Sequence, residues 1–146
     1  MPDEPAAFTH ATPILRVADF DASIAYYVDV LGFTLAWSDG TFGSVCRGDV
    51  SLMLCAGSQG HAGTWVYVDV SDADALHDEL RARGARIRHP PTNFPWGMRE
   101  LHVFDLDGHV LRLGAEVGHD EPLGPWLDEE GVRWMPQPDG RWNRAD

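Results

Sequence analysis

Seven histidines, two cysteines and 23 acidic residues, set against 11 arginines and no lysine, bound the chemistry open to this 146-residue chain. Without lysine there is no Schiff base and no phosphate-gripping lysine of the Walker type. Ser23, Ser38, Ser44, Ser51, Ser58 and Ser71 sit in no Gly-x-Ser-x-Gly elbow, so nucleophilic catalysis has no support. Cys46 and Cys55 lie in apolar, strand-like runs with no Cys-x-x-Cys or Cys/His spacing, and read as buried inert thiols. No His-Glu-x-x-His pattern occurs. His10 precedes the first strand; His102 and His109 flank a turn and can share a sheet face; His61, His77, His89 and His119 fall at loop or helix-surface positions. Asp105-Leu106-Asp107-Gly108 lacks the later glutamate of a calcium loop and reads as a hairpin turn. Trp96, between Pro95 and Gly97, is different: a loop there makes burial hard to arrange and offers a flat platform for stacking.

The net charge is -12. Residues 1–117 carry 16 acidic and 8 basic residues, and residues 118–146 carry 7 and 3, so the excess belongs mostly to the body of the chain. A nucleic-acid binder needs a positive footprint, and this charge argues against one. It permits a cationic partner without demanding one, and its plainer reading is solubility. No apolar run approaches the ~18 residues of a membrane span, and Met1-Pro2-Asp3-Glu4-Pro5 is no signal peptide; a cytoplasmic protein without membrane partners is expected.

The elements that must position these residues repeat. A strand over 12–17 leads into a helix capped by Asp19 or Asp21, with Ile24, Tyr27, Val28 and Leu31 at helical spacing and Gly32 as its stop. Strands near 33–37, 42–47 and 50–56 follow, separated by Ser38-Asp39-Gly40 and Gly48-Asp49. The order then restarts: a strand over 64–70, a helix opened by Asp72 or Asp74 and ended by Gly84, a weak strand at Ile87, a Pro- and Asn-rich loop, and strands near 99–104 and 109–114 around Asp107-Gly108. Val17-Ala18-Asp19-Phe20-Asp21 matches Val70-Ser71-Asp72-Ala73-Asp74, and Gly48-Asp49-Val50 matches Gly108-His109-Val110. An α+β fold of two βαβββ repeats is expected, over about 11–57 and 63–117 within a domain of residues 1–117. Residues 118–146 form an acidic extension whose Trp126, Trp134 and Trp142 are unlike a disordered tail; part of it is expected to pack back, with a small hairpin around Pro138-Asp139-Gly140.

Two segments carry a family resemblance. Ile14-Leu15-Arg16-Val17-Ala18-Asp19, through Tyr26-Tyr27 to Leu31-Gly32-Phe33, resembles the first strand and helix of the vicinal oxygen chelate superfamily, which includes glyoxalase I, extradiol dioxygenases and the bleomycin- and fosfomycin-resistance proteins. Pro95-Trp96-Gly97 with Arg99-Glu100, then Asp105-Leu106-Asp107-Gly108-His109, resembles its bleomycin-resistance branch. The resemblance covers 11–117 and implies an open, curved mixed sheet and a homodimer.

The superfamily's enzymes hold a divalent metal at one position on the first and one on the last strand of each repeat. Carried across, these are Thr12, about Leu52, Trp65 and Arg112, none a plausible ligand for such an ion, so no metal and no other cofactor is expected there. The branch's stacking aromatics fall on Trp37, Phe42 and Trp96. Trp65 and Arg112, at former metal positions, would line the same cleft, with Glu100 or Glu116 as the carboxylate partner that an inward Arg112 needs. The resemblance thus implies a non-catalytic antibiotic-binding protein. It would sequester a planar, cationic, bleomycin-like compound in a cleft at the dimer interface through Trp37, Phe42, Trp96, Trp65 and Arg112. The alternatives are an enzyme of the same fold with unorthodox or absent metal ligands, and a small-molecule-binding accessory protein.

Overall fold

Asp19 and Asp72 begin the two helices. Each stands in extended backbone and accepts a hydrogen bond from the backbone N–H three residues on, Ala22 at 3.1 Å and Ala75 at 3.0 Å. A computed structural model describes residues 4–117, 125–128, 130–137 and 141–145. Its first half runs β1 (Ile14–Arg16), α1 (Phe20–Ala25, continued by a π-helical turn Tyr26–Val30), β2 (Thr34–Ser38), β3 (Phe42–Arg47) and β4 (Val50–Cys55). Its second half runs β5 (Trp65–Asp69), α2 (Ala73–Ala82), β6 (Arg86–Asn93), β7 (Met98–Phe104) and β8 (Val110–Glu116). The sheets have the same order, β1-β4-β3-β2 and β5-β8-β7-β6, with the first strand parallel to the last and the others antiparallel. This is the expected α+β fold of two βαβββ units.

One face of each sheet feeds a single core. Leu15, Val45, Leu52 and Leu54 from the first half meet Val68, Leu101, Val103, Leu111 and Leu113 from the second, with Tyr27, Leu31 and Leu80 from the helices. Polar ties close the seam. Tyr27 donates to Asp105 (2.9 Å), Tyr26 to the Phe104 carbonyl (2.9 Å), and Ala18 N–H to Asp107 (2.8 Å). His109 accepts from Thr64 N–H at Nδ1 (2.9 Å), so its proton is on Nε2 and is donated to the Arg16 carbonyl (2.6 Å). That histidine is a fully bonded strut between β1 and the start of β5, on no shared face with His102. On the other side Arg47 of β3 grips Glu79 of α2 through two 2.8 Å contacts. Gly32 (φ +76°) makes room for this pair, since a Cβ there would lie 2.6 Å from Arg47 Nη1.

Three expectations need correction. The Pro- and Asn-rich stretch is not a loop: β6 runs through Pro90-Pro91 to Asn93, with pairing irregularities on either side of His89. It is the outer strand of its sheet, where a missing N–H breaks no second ladder. His89 is therefore a buried strand residue paired with His102, not a surface one. Leu52 faces the core, not a cleft. β1–β4 pairing sets Leu15 beside Leu54, and β5–β8 pairing sets Val68 beside Leu113, so the counterpart of Arg112 is Met53. The turn match Gly48/Gly108 carries an offset one residue too long for the strands, and one residue exchanges the faces. Of the two thiols, Cys55 is buried and Cys46 half-buried.

The C-terminal residues add β9 (Trp126–Leu127), β10 (Arg133–Pro136) and β11 (Trp142–Arg144) in antiparallel order β11-β10-β9. Trp134 donates its indole N–H to Asp128 (2.7 Å), and Arg88 of β6 donates to the Asp128 carbonyl. His119 and the turn Pro138-Asp139-Gly140 lie outside the described residues. Among those described, no helix is long and apolar enough to cross a membrane.

Candidate functional site

One face of each sheet is spent on the core, and the candidate residues divide between the opposite faces, which are open at their aromatics but closed over Glu100, His102 and His89. On the first half, alternation alone would put Trp37 on the core side with Leu35, whose partner is Val45. A bulge between them shifts the register so that Trp37 pairs with Ser44 and joins the open face. There it stacks on Phe42, two positions from Ser44 on β3, with ring centres 5.6 Å apart and planes 20° from parallel. The turn between them is held by Asp39, whose carboxylate accepts from the N–H groups of Thr41 and Phe42 (2.9 Å each). These bonds, Thr41 first, hold the Asp39 carboxyl below its usual range. Trp37 remains 47% exposed.

On the second half a row crosses the open face from Tyr67 through Arg112 and His102 to His89, each paired with the next on the neighbouring strand. Glu100 sits one step along β7, opposite Gly114, and is completely buried. Its carboxylate receives Nε and Nη2 of Arg112 (3.0 and 3.2 Å), the indole N–H of Trp96 (2.5 Å) and Nε2 of His102 (3.0 Å). Burial pushes Glu100 up, but the hydrogen bonds from His102, Trp96 and Arg112 outweigh it and hold the carboxyl below its ordinary range. Burial pushes His102 and His89 down. His102 is thus a neutral ring donating from Nε2 to Glu100, and its buried Nδ1 has no partner among the described residues.

The turn Phe94-Pro95-Trp96-Gly97, closed by Gly97 N–H on the Phe94 carbonyl (3.1 Å), presents the tryptophan. Trp96 lies flat on buried Phe94 (4.7 Å, 5°), and Phe94 lies flat on His102 (5.9 Å, 7°). Trp96 is therefore clamped by its ring and by its N–H, yet 45% exposed. The Arg112 guanidinium lies between two rings, 5.3 Å from the centre of Tyr67 and 5.7 Å from that of Trp96. Trp65 stands edge-on to His102 (5.8 Å), with Arg88 4.7 Å over its face. Tyr67 is pushed up to about 12 by burial and then by the negative charge of Glu100.

The structure thus gathers Trp65, Trp96 and Arg112 on one face and sets Trp37 and Phe42 as a stacked pair on the other half. Of the two carboxylates weighed for Arg112, Glu100 is its partner. Sequence reasoning missed Tyr67, Phe94, His89 and Gly114. Tyr67 was visible as the residue two after Trp65 on the same strand. Gly114 matters because a Cβ there would fall 2.2 Å from the Tyr67 hydroxyl and 3.1 Å from Glu100, closing the space they share.

The metal positions that the resemblance implies become, with the strand register, Thr12, Met53, Trp65 and Arg112. A threonine, a thioether, an indole stacked under a guanidinium and a guanidinium locked on a carboxylate do not form a donor set for a divalent cation. Among the described residues, no three His, Cys, Asp or Glu side chains are grouped to hold one elsewhere.

Residues 7–113 match the family model of the glyoxalase/bleomycin resistance protein/dioxygenase superfamily. A bleomycin resistance protein of Geobacillus stearothermophilus is 27% identical over 127 residues, covering 72% of this chain and 95% of that protein. Among solved structures, the bleomycin-binding protein of Streptomyces verticillus in complex with copper(II)-bleomycin superposes with a TM-score of 0.65 at 30% identity, over 77% of this chain and 100% of the other. A bleomycin resistance determinant encoded on transposon Tn5 gives 0.66 at 27%, over 75% and 98%.

Proposed function

This chain belongs to the glyoxalase/bleomycin resistance protein/dioxygenase superfamily, and from that premise we propose that it is a non-catalytic binding protein that sequesters a planar, cationic, bleomycin-like natural product in the cytoplasm. The observation that carries the reading is the set of large aromatics held half-exposed on the sheet faces and on the turn beside them: Trp37, Trp65, Tyr67 and Trp96 are each between 39% and 47% exposed, although the chain has a full core to bury them in. Exposed aromatics grouped this way mark binding surfaces. Phe42 backs Trp37, and Phe94 and Glu100 fix Trp96, so the platforms are rigid before any ligand arrives. The two groups lie on different halves of one chain, which favours a homodimer in which the Trp37–Phe42 face of one copy opposes the Trp65–Trp96–Arg112 face of the other. The net charge of -12 draws a cation toward that cleft. Stacking on two or three rings, at roughly 0.5–1.5 kcal/mol each beyond area burial, supports micromolar or tighter binding without bond-making.

Calorimetric titration of the full chain with bleomycin tests the reading. Saturable binding is expected, with bleomycin recovered unchanged by mass spectrometry, a dimer by light scattering, and affinity about tenfold weaker in Trp37→Ala. No binding by the wild-type chain, or binding unaltered by both Trp37→Ala and Trp65→Ala, refutes it.

A further inference from the structure

Arg112 has donors to spare. Glu100 takes its Nε and Nη2, leaving Nη1 without a hydrogen bond among the described residues, and the side chain is 30% exposed while Glu100 is fully buried. Glu100 holds the guanidinium through two nitrogens, and the rings of Tyr67 and Trp96 lie within 5.3 and 5.7 Å of it, so it is placed before any ligand binds. A forked, pre-oriented guanidinium with an open edge suits a planar oxygen acceptor lying in its plane. Glu100 offsets the charge of Arg112 but does not use its third nitrogen.

We propose that Arg112 anchors an acceptor oxygen of the bound ligand, a carboxylate or a carbonyl set beside its aromatic plane. This rests on the reading of the second-half face as a platform for a flat ligand. The ligand class is then amphoteric: a flat cation, drawn in by the overall charge, with an acceptor oxygen that meets Arg112. A flat cation with no acceptor would leave the open edge of Arg112 desolvated and unpaired.

Three probes built on one ring system separate the possibilities: 9-aminoacridine, its 4-carboxamide and its 4-carboxylate, titrated calorimetrically into the full chain. The carboxylate is expected to bind about tenfold tighter than the parent and the carboxamide severalfold tighter. In Arg112→Met/Glu100→Gln, which removes both partners together, the three probes should bind within about twofold of one another. Arg112→Lys, which keeps the charge and loses the fork, should lose the carboxamide advantage and retain part of the carboxylate advantage. Equal binding of all three probes by the wild-type chain overturns the anchor and leaves the aromatic platform standing. A preference that survives in folded Arg112→Met/Glu100→Gln, or a carboxamide advantage that survives in folded Arg112→Lys, overturns it as well. No binding of any probe by the wild-type chain overturns both the anchor and the platform.

Discussion

Replacing Glu100 by Gln and Arg112 by Met, singly and together, measures how far the second-half face depends on one buried carboxylate. Glu100 has no exposure and receives donors from Arg112, Trp96 and His102. Arg112→Met removes the only full positive charge among those donors but leaves two hydrogen bonds, so Glu100 stays charged at a cost of about 2–3 kcal/mol. Glu100→Gln keeps the shape but turns an amide NH2 toward groups that all donate. Arg112 recovers part of the loss because 30% of its side chain reaches water, and the cost is again about 2–3 kcal/mol. In the double variant no charge is left unpaired, so the losses should fall short of their sum by about 1–3 kcal/mol. Urea unfolding of the four proteins, followed by tryptophan fluorescence and far-UV circular dichroism, gives the coupling directly. Additivity within about 0.5 kcal/mol would show that the pair does not hold the face together, and the reasoning would fail.

Two further outcomes follow from the seam and from the buried imidazoles. His109→Ala removes bonds to both Thr64 N–H and the Arg16 carbonyl, and should cost about 2–4 kcal/mol by thermal or urea melts; a cost below about 1 kcal/mol would mean that His109 is no strut. His89 and His102 are pushed by burial below the ordinary 6.5, so as pH falls below that value the unfolded chain takes up protons that the folded chain refuses. Their contribution is present above pH 6.5 and is lost as pH falls through their folded values, with a slope of up to about 2.7 kcal/mol per pH unit for the two. Stability measured by urea titration between pH 8 and 5 should therefore decline on the acid side, and a His102→Gln/His89→Gln variant should decline less steeply.

Most of the fold was legible along the chain because its signals are local. Asp19 and Asp72 cap, Gly32 and Gly84 stop, and the apolar spacing of Ile24, Tyr27 and Leu31 needs only the helix itself. The repeated order of elements follows from such signals and needs no knowledge of what packs where. β6 escaped because two prolines contradict a strand locally, and only its place at the sheet edge makes them harmless. The identity of a cleft residue at 52 or 53 escaped because turn residues and strand residues carry different offsets between the halves, and a single step reverses a side chain's direction.

For the candidate site the division is sharper. The residue types alone determined that lysine chemistry and a serine elbow are absent, that tryptophans are plentiful, and that an inward Arg112 requires a carboxylate. Which carboxylate, and in what company, was decided only when β7 and β8 paired. That pairing brings residues twelve apart in sequence into one charge cluster, puts Gly114 where a side chain would block Tyr67, and sets Phe94 under Trp96. On the first half a bulge at the residue before Trp37 decided that this ring meets Phe42 on the open face rather than the core. Capping and periodicity are properties of neighbours along the chain. Face, burial and charge pairing belong to strands brought together from afar, and they exist only once the sheet has formed.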